Sequence, residues 1–194
     1  MKQMSANRAF LLSLAMYLAA ILVMAVLGYC FGGGNTSIVS PEEASNRLHE
    51  FHENALQNTR IILLHNLSVS LQLLALQLLP LFGLILASGN MGFSLGLLIK
   101  SVTVDSMLLP QLPMLMLILP HGIPEYLGFI LMQNSVTNLY FAGFLRMFKI
   151  RVDVKRAGLL SGISLVSGFA LVIIAAVIEG YATPVIAERL LHQL

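Results

Sequence analysis

The feature that most constrains this chain is a series of apolar runs, each about as long as a membrane is thick. Phe10–Phe31 is the first, broken only by Ser13 and Gly28. Runs near 61–87, 91–109, 114–133 and 157–181 follow. A helix needs about 20 residues to cross a hydrocarbon core roughly 30 Å thick, and each run approaches or exceeds that. No ten-residue alternation recurs, which argues against a β-barrel. Composition agrees: 57% of residues are apolar and 10% charged, whereas soluble domains sit near about 45–50% and 25%. A chain of 194 residues cannot hide so much apolar surface in one aqueous core. The expected fold is all-α, a polytopic transmembrane helical bundle forming a single membrane domain over 1–194 with about five spans.

Local signals punctuate these runs. Lys2 and Arg8 precede the first one, as in a signal peptide. The run is too long for that, however, and Gly28-Tyr29-Cys30-Phe31 has no small-residue cleavage pattern, so a retained helix is expected. Cys30 is the one cysteine, which excludes an intrachain disulfide. Pro80 is expected to kink the second span and Ser88-Gly89-Asn90 to end it, while Pro120, Gly122 and Pro124 interrupt the fourth. The polar stretch 32–60 opens on Gly32-Gly33-Gly34-Asn35. Ser40-Pro41-Glu42-Glu43 then reads as a capped helix start. Leu48, Phe51 and Leu56 on one face predict an amphipathic helix at the membrane surface. Gly158 with Gly162, and Ser164 with Gly168, have the spacing of close helix packing, within the bundle or in a homodimer.

Basic residues orient the spans. Lys2, Arg8, Arg146, Lys149, Arg151, Lys155 and Arg156 fall on one side, in the N-terminus and the segment 134–156. Only Arg47, Arg60 and Arg189 fall on the other. This bias predicts a cytoplasmic N-terminus and an outer C-terminus, with 32–60 extracytoplasmic. The net charge of +2 is too small for nucleic-acid binding.

Ionisable side chains inside a span cost roughly 2.5–3.5 kcal/mol on insertion scales and mark functional sites. Here they are Lys100, His121, Glu125 and Glu179, with His65, Asn66 and Asp105 near span ends. The expected orientation places all of them between the midplane and the outer surface. A buried polar cluster opening outward is therefore expected, with Lys100 paired to Glu125 or Asp105. A purely structural neutralisation of these charges is the other reading. His121 and Glu125 are four residues apart and share a helix face, within Pro120-His121-Gly122-Ile123-Pro124-Glu125. They are weak zinc candidates, because no H-E-x-x-H or clustered cysteine accompanies them. No metal or other cofactor is expected.

Leu119-Pro120-His121-Gly122-Ile123-Pro124-Glu125 before an apolar run resembles the PHGxxE hallmark of the stage II sporulation protein M family of bacterial membrane proteins. Asn66, Gly89-Asn90-Met91-Gly92-Phe93-Ser94-Leu95-Gly96 and Ile178-Glu179-Gly180-Tyr181-Ala182-Thr183-Pro184 are similar to its flanking motifs, in the same order. Gly89-Asn90 stands where the family more often has Asn-Gly. The resemblance covers about 60–194, plus the first span in outline, and implies a multi-pass protein of the bacterial cytoplasmic membrane. The family's namesake is a scaffold that holds peptidoglycan-degrading enzymes during engulfment of the forespore. Other members accompany circular-bacteriocin genes and are implicated in peptide maturation, secretion or immunity. Three functions follow as expectations, in this order: a non-catalytic scaffold recruiting protein or peptide partners on the extracytoplasmic side, a peptide-maturation or transport component using the His/Glu cluster, and an intramembrane metal-dependent hydrolase.

Overall fold

Backbone polar groups facing lipid must be satisfied within their own segment, so the apolar runs fold as helices. The computed structural model describes residues 4–31, 54–79, 82–104 and 111–191. Within them lie α1 (Ala6–Phe31), α2 (Ala55–Leu76), α3 (Phe82–Val104), α4 (Gln111–Met147), α5 (Val154–Val177), a π-helical segment (Ile178–Ala182) and α6 (Thr183–Leu191). No β-strand occurs among the described residues. The fold is an all-α polytopic bundle. Most of the expected surface helix in 32–60, together with Pro80 and Asp105, lies outside the described residues. Among the described residues, four stretches are long and apolar enough to cross a membrane: Ala6–Phe31, Ala55–Leu76, Gly83–Lys100 and Val154–Arg189.

Two helix boundaries depart from the apolar runs. The run 61–87 is not one kinked helix: α2 starts earlier, ends at Leu76, and passes through a turn at Gln77–Leu79. A proline at position 80 can donate no amide proton to Leu76, and it disfavours helix in the residue before it. Leu78 N–H and Leu79 N–H close the turn on the carbonyls of Ala75 and Leu76 at 3.1 and 3.2 Å. A Cβ at Gly83 would strike the Leu76 carbonyl, so a glycine there lets α3 begin directly against the end of α2. Ser88-Gly89-Asn90 does not terminate a helix but lies inside α3, where Ser88 Oγ donates to the Leu84 carbonyl at 2.6 Å.

The second departure is α4. It runs 37 residues, straight through 134–147, which the charge pattern assigns to a polar cytoplasmic segment. The reason is burial: Gln133, Asn134 and Asn138 are fully enclosed, and the two asparagines tie α4 to its neighbours. Ser13 Oγ of α1 donates to Asn134 Oδ1 at 2.9 Å. Asn138 Nδ2 donates to Ser161 Oγ at 2.9 Å and to the Ala157 carbonyl at 3.1 Å on α5. Gln77 Nε2 approaches Thr137 Oγ1 at 3.5 Å. α4 then stops at Lys149, whose φ of 59° sets up a Schellman turn. Lys149 N–H bonds the Arg146 carbonyl and Ile150 N–H the Leu145 carbonyl. Asp153 caps α5 by accepting from Arg156 N–H at 3.1 Å.

Two apolar layers hold the bundle. The central one contains Tyr17, Ile21, Leu73, Met91, Phe129, Met132 and Val172. The other gathers Ala6, Ala9, Ala142, Leu145, Val152 and Ala157, where the start of α1, the end of α4 and the start of α5 meet. Small residues set the closest approaches. A Cβ at Gly92 would strike the Ile21 carbonyl, and one at Gly96 the Ala25 carbonyl, so α3 lies directly on the backbone of α1. Gly128 and Gly168 do the same between α4 and α5. Gly158 and Gly162, in contrast, face no atom within 4 Å. Gly96→Ala should therefore wedge α1 from α3 and destabilise the fold by about 1–3 kcal/mol. Gly158→Ala should stabilise it by about 0.5–1 kcal/mol through helix propensity. Denaturant titration of both variants in detergent micelles measures the contrast.

Candidate functional site

The motif residues 120–125 lie in the third to fifth turns of α4. Pro120 and Pro124 are both inside the helix. The missing amide proton of Pro124 deprives the Pro120 carbonyl of its usual partner four residues on, so this part of α4 is its weakest. His121, Gly122, Pro124 and Glu125 are half-buried there.

Opposite them, α5 changes pitch. Thr183 N–H bonds the Ile178 carbonyl, five residues back. Pro184 explains the change. Without an N–H, and with a ring pressing on the preceding turn, it favours one wider turn over a continued α-helix. Across this wider turn Thr183 meets α4. Thr183 Oγ1 lies 3.2 Å from His121 Nδ1, and Glu179 lies near enough to Glu125 for their charges to act on one another. Both carboxyl side chains are half-buried. A third element closes the arrangement. A Cβ at Gly180 would strike Thr59 Oγ1, so glycine allows the second turn of α2 to seat on the π segment.

The structure thus joins His121 to Thr183, sets Glu125 within reach of the charge of Glu179, and adds Gly180 and Thr59. Asn66 lies on the same buried stripe of α2 as Thr59, Ser70 and Leu73, at 4% exposure. Its Nδ2 has no hydrogen-bond partner among the described residues. His65 is exposed on another face of α2 and does not join them. Lys100 is half-buried on α3, which adjoins α1, α2 and α4 but neither the π segment nor α6 among the described residues. A catalytic zinc site takes three protein ligands and an open position. Among the described residues no three His, Cys, Asp or Glu side chains gather in that way.

The His121–Thr183 contact is the most direct link between α4 and the C-terminal turn. His121→Ala and Thr183→Val should each lower stability, and the double variant should lose less than their sum. The coupling is expected at about 0.6–1.7 kcal/mol, the range of hydrogen bonds between membrane helices. A double-mutant cycle in micelles reads it directly.

The family model of stage II sporulation protein M matches residues 9–184. No curated protein and no solved structure matches the chain. The match spans α1 through Pro184 and includes the paired His121/Glu125 and Glu179/Thr183 elements as well as both helices that carry them. With α4 and the π segment meeting at these residues, the chain belongs to the stage II sporulation protein M family.

Proposed function

We propose that this protein is a non-catalytic component of a cell-envelope assembly in a bacterial cytoplasmic membrane. It recruits a protein or peptide partner, and Glu125 and Glu179 hold a cationic group of that partner. The observation that carries this reading is the carboxylate pair itself. Two acidic side chains, half-buried and on different helical elements, lie within reach of each other's charge where α4 and the π segment meet. Like charges at short range repel, and the repulsion strengthens as water is excluded. A lysine, arginine or amino terminus inserted between them turns that repulsion into attraction. The neighbouring His121–Thr183 contact keeps the two carboxyl-bearing elements in place.

The basic-residue bias supports an N-in arrangement of five crossings, with this cluster in the outer half of the bilayer. Along α4 and α5 the paired residues run in opposite directions, Asn138 against Ala157 and Gly128 against Gly168, as expected of two adjacent crossings. In that arrangement the segment 32–60 lies on the same side as the acidic pair. The scaffold role of the family's namesake agrees with partner recruitment there.

Glu125→Gln and Glu179→Gln, singly and together, test the reading. The neutral amides keep size and hydrogen bonding, so insertion and folding should persist. Recovery of the cross-linked partner from the native membrane should fall by about tenfold or more, which corresponds to about 1.4 kcal/mol of binding. Undiminished recovery in the double variant would overturn the proposal. Loss of peptide export with partner binding intact would instead favour a maturation or secretion component acting through the same cluster.

A further inference from the structure

A groove of about 480 Å³ opens on the bundle far along α4 from His121. Met16 of α1, Leu84 of α3, and Phe141, Phe144 and Met147 of α4 form its walls, with Gly143 between them. Along α4 it extends from Thr137 to Met147, which at 1.5 Å per residue is about 15 Å. That is about half of a 30 Å hydrocarbon core, the depth of one leaflet. The groove is apolar, and Leu79, Phe144 and Met147 along it are exposed, so its natural occupant is a hydrocarbon chain from a single leaflet.

The rim says which lipid. Met147 lies in the last turn of α4 with Arg146, and Lys149 and Arg151 follow at once. Arg8, Lys155 and Arg156 come to the same end, because the start of α1 and the start of α5 pack against the end of α4 there. Met4 N–H bonds the Arg151 carbonyl at 3.1 Å, which fixes the N-terminal chain beside this turn. All six cations are exposed. The acid among them, Asp153, is engaged in capping α5. A cationic rim at the mouth of a leaflet-deep apolar groove matches a molecule with an acyl chain and a negatively charged phosphate headgroup.

We infer that the groove beside Gly143 binds an acyl chain of one anionic phospholipid, whose phosphate rests among Arg146, Lys149 and the adjoining cations. Gly143 makes the inference testable. A Cβ built there meets no atom within 4 Å, so a larger side chain grows into the groove without displacing protein. Glycine is also a poor helix former, and its replacement favours α4.

The experiment uses the full chain, delipidated in detergent, titrated with phosphatidylglycerol or phosphatidylcholine and followed by native mass spectrometry and thermal unfolding. The wild-type protein should retain phosphatidylglycerol at least tenfold more tightly than phosphatidylcholine and unfold at higher temperature in its presence. Gly143→Leu should lose the bound lipid and the thermal shift. Arg146→Gln with Lys149→Gln should keep a bound lipid but bind the two headgroups equally. Glu125→Gln, in the acidic pair, should change neither, which separates this site from the proposed partner site. Equal binding of both lipids by the wild type, or unchanged phosphatidylglycerol binding in Gly143→Leu, would overturn the inference.

Discussion

The seam between α4 and α5 is the contact on which the rest of the molecule depends. Lipid tails are as apolar as leucine, so membrane helices are held by fit and hydrogen bonding rather than by escape from water. This seam supplies both. Gly128 and Gly168 bring the two backbones together, and a side chain at either would strike the facing helix. Ser164 Oγ donates to the Leu131 carbonyl at 2.8 Å, and Asn138 clasps Ser161 and the Ala157 carbonyl. These bonds set a register. Moving α4 by one residue would separate His121 from Thr183 and Glu125 from Glu179, since all four sit on the continuation of the same pair of helices.

Much of this was legible in the sequence, for a physical reason. Burying charge in hydrocarbon is costly enough that His121, Glu125 and Glu179 stand out against an apolar background without any structure. What the charges cannot show is which of them meet. Helical periodicity argues against His65 and Asn66 facing the same interior, and the structure buries Asn66 alone. For α3, which carries Lys100, the close approach is to α1, through Gly92 and Gly96. Thr183 was missed because a threonine near a helix end is ordinary. The useful signal was Pro184 beside it, whose missing amide calls for an irregular turn just after Glu179.

Polarity misled at two boundaries. Gln133-Asn134-Ser135 and Thr137-Asn138 read as the exit from a span, yet they form the most enclosed part of α4. Amide and hydroxyl groups within hydrocarbon are retained where they bond other helices, and these connect α4 to α1, α2 and α5 together. Likewise Ser88-Gly89-Asn90 has the composition of a turn. Inside α3, Ser88 bonds its own helix, and a Cβ at Gly89 would lie 3.4 Å from Met24 Cε on α1. A hydropathy profile weighs each residue by its own solvation and cannot register a partner many residues away.

The two ends of α4 are built differently, and the difference has a mechanical consequence. From Gln133 onward the helix is held by side-chain bonds to three neighbours and finishes in a Schellman turn, so the groove end is clamped. At the motif end, Pro120 and Pro124 remove backbone bonds, and the contact with the π segment runs through half-buried side chains. Glu125 and Met147 are separated by about 33 Å of helix. A force at the acidic pair therefore meets a compliant first part of α4 before it reaches a fixed one. Bending should be absorbed near the prolines, where His121 and Glu125 sit, while the cationic end holds its position relative to α1 and α5.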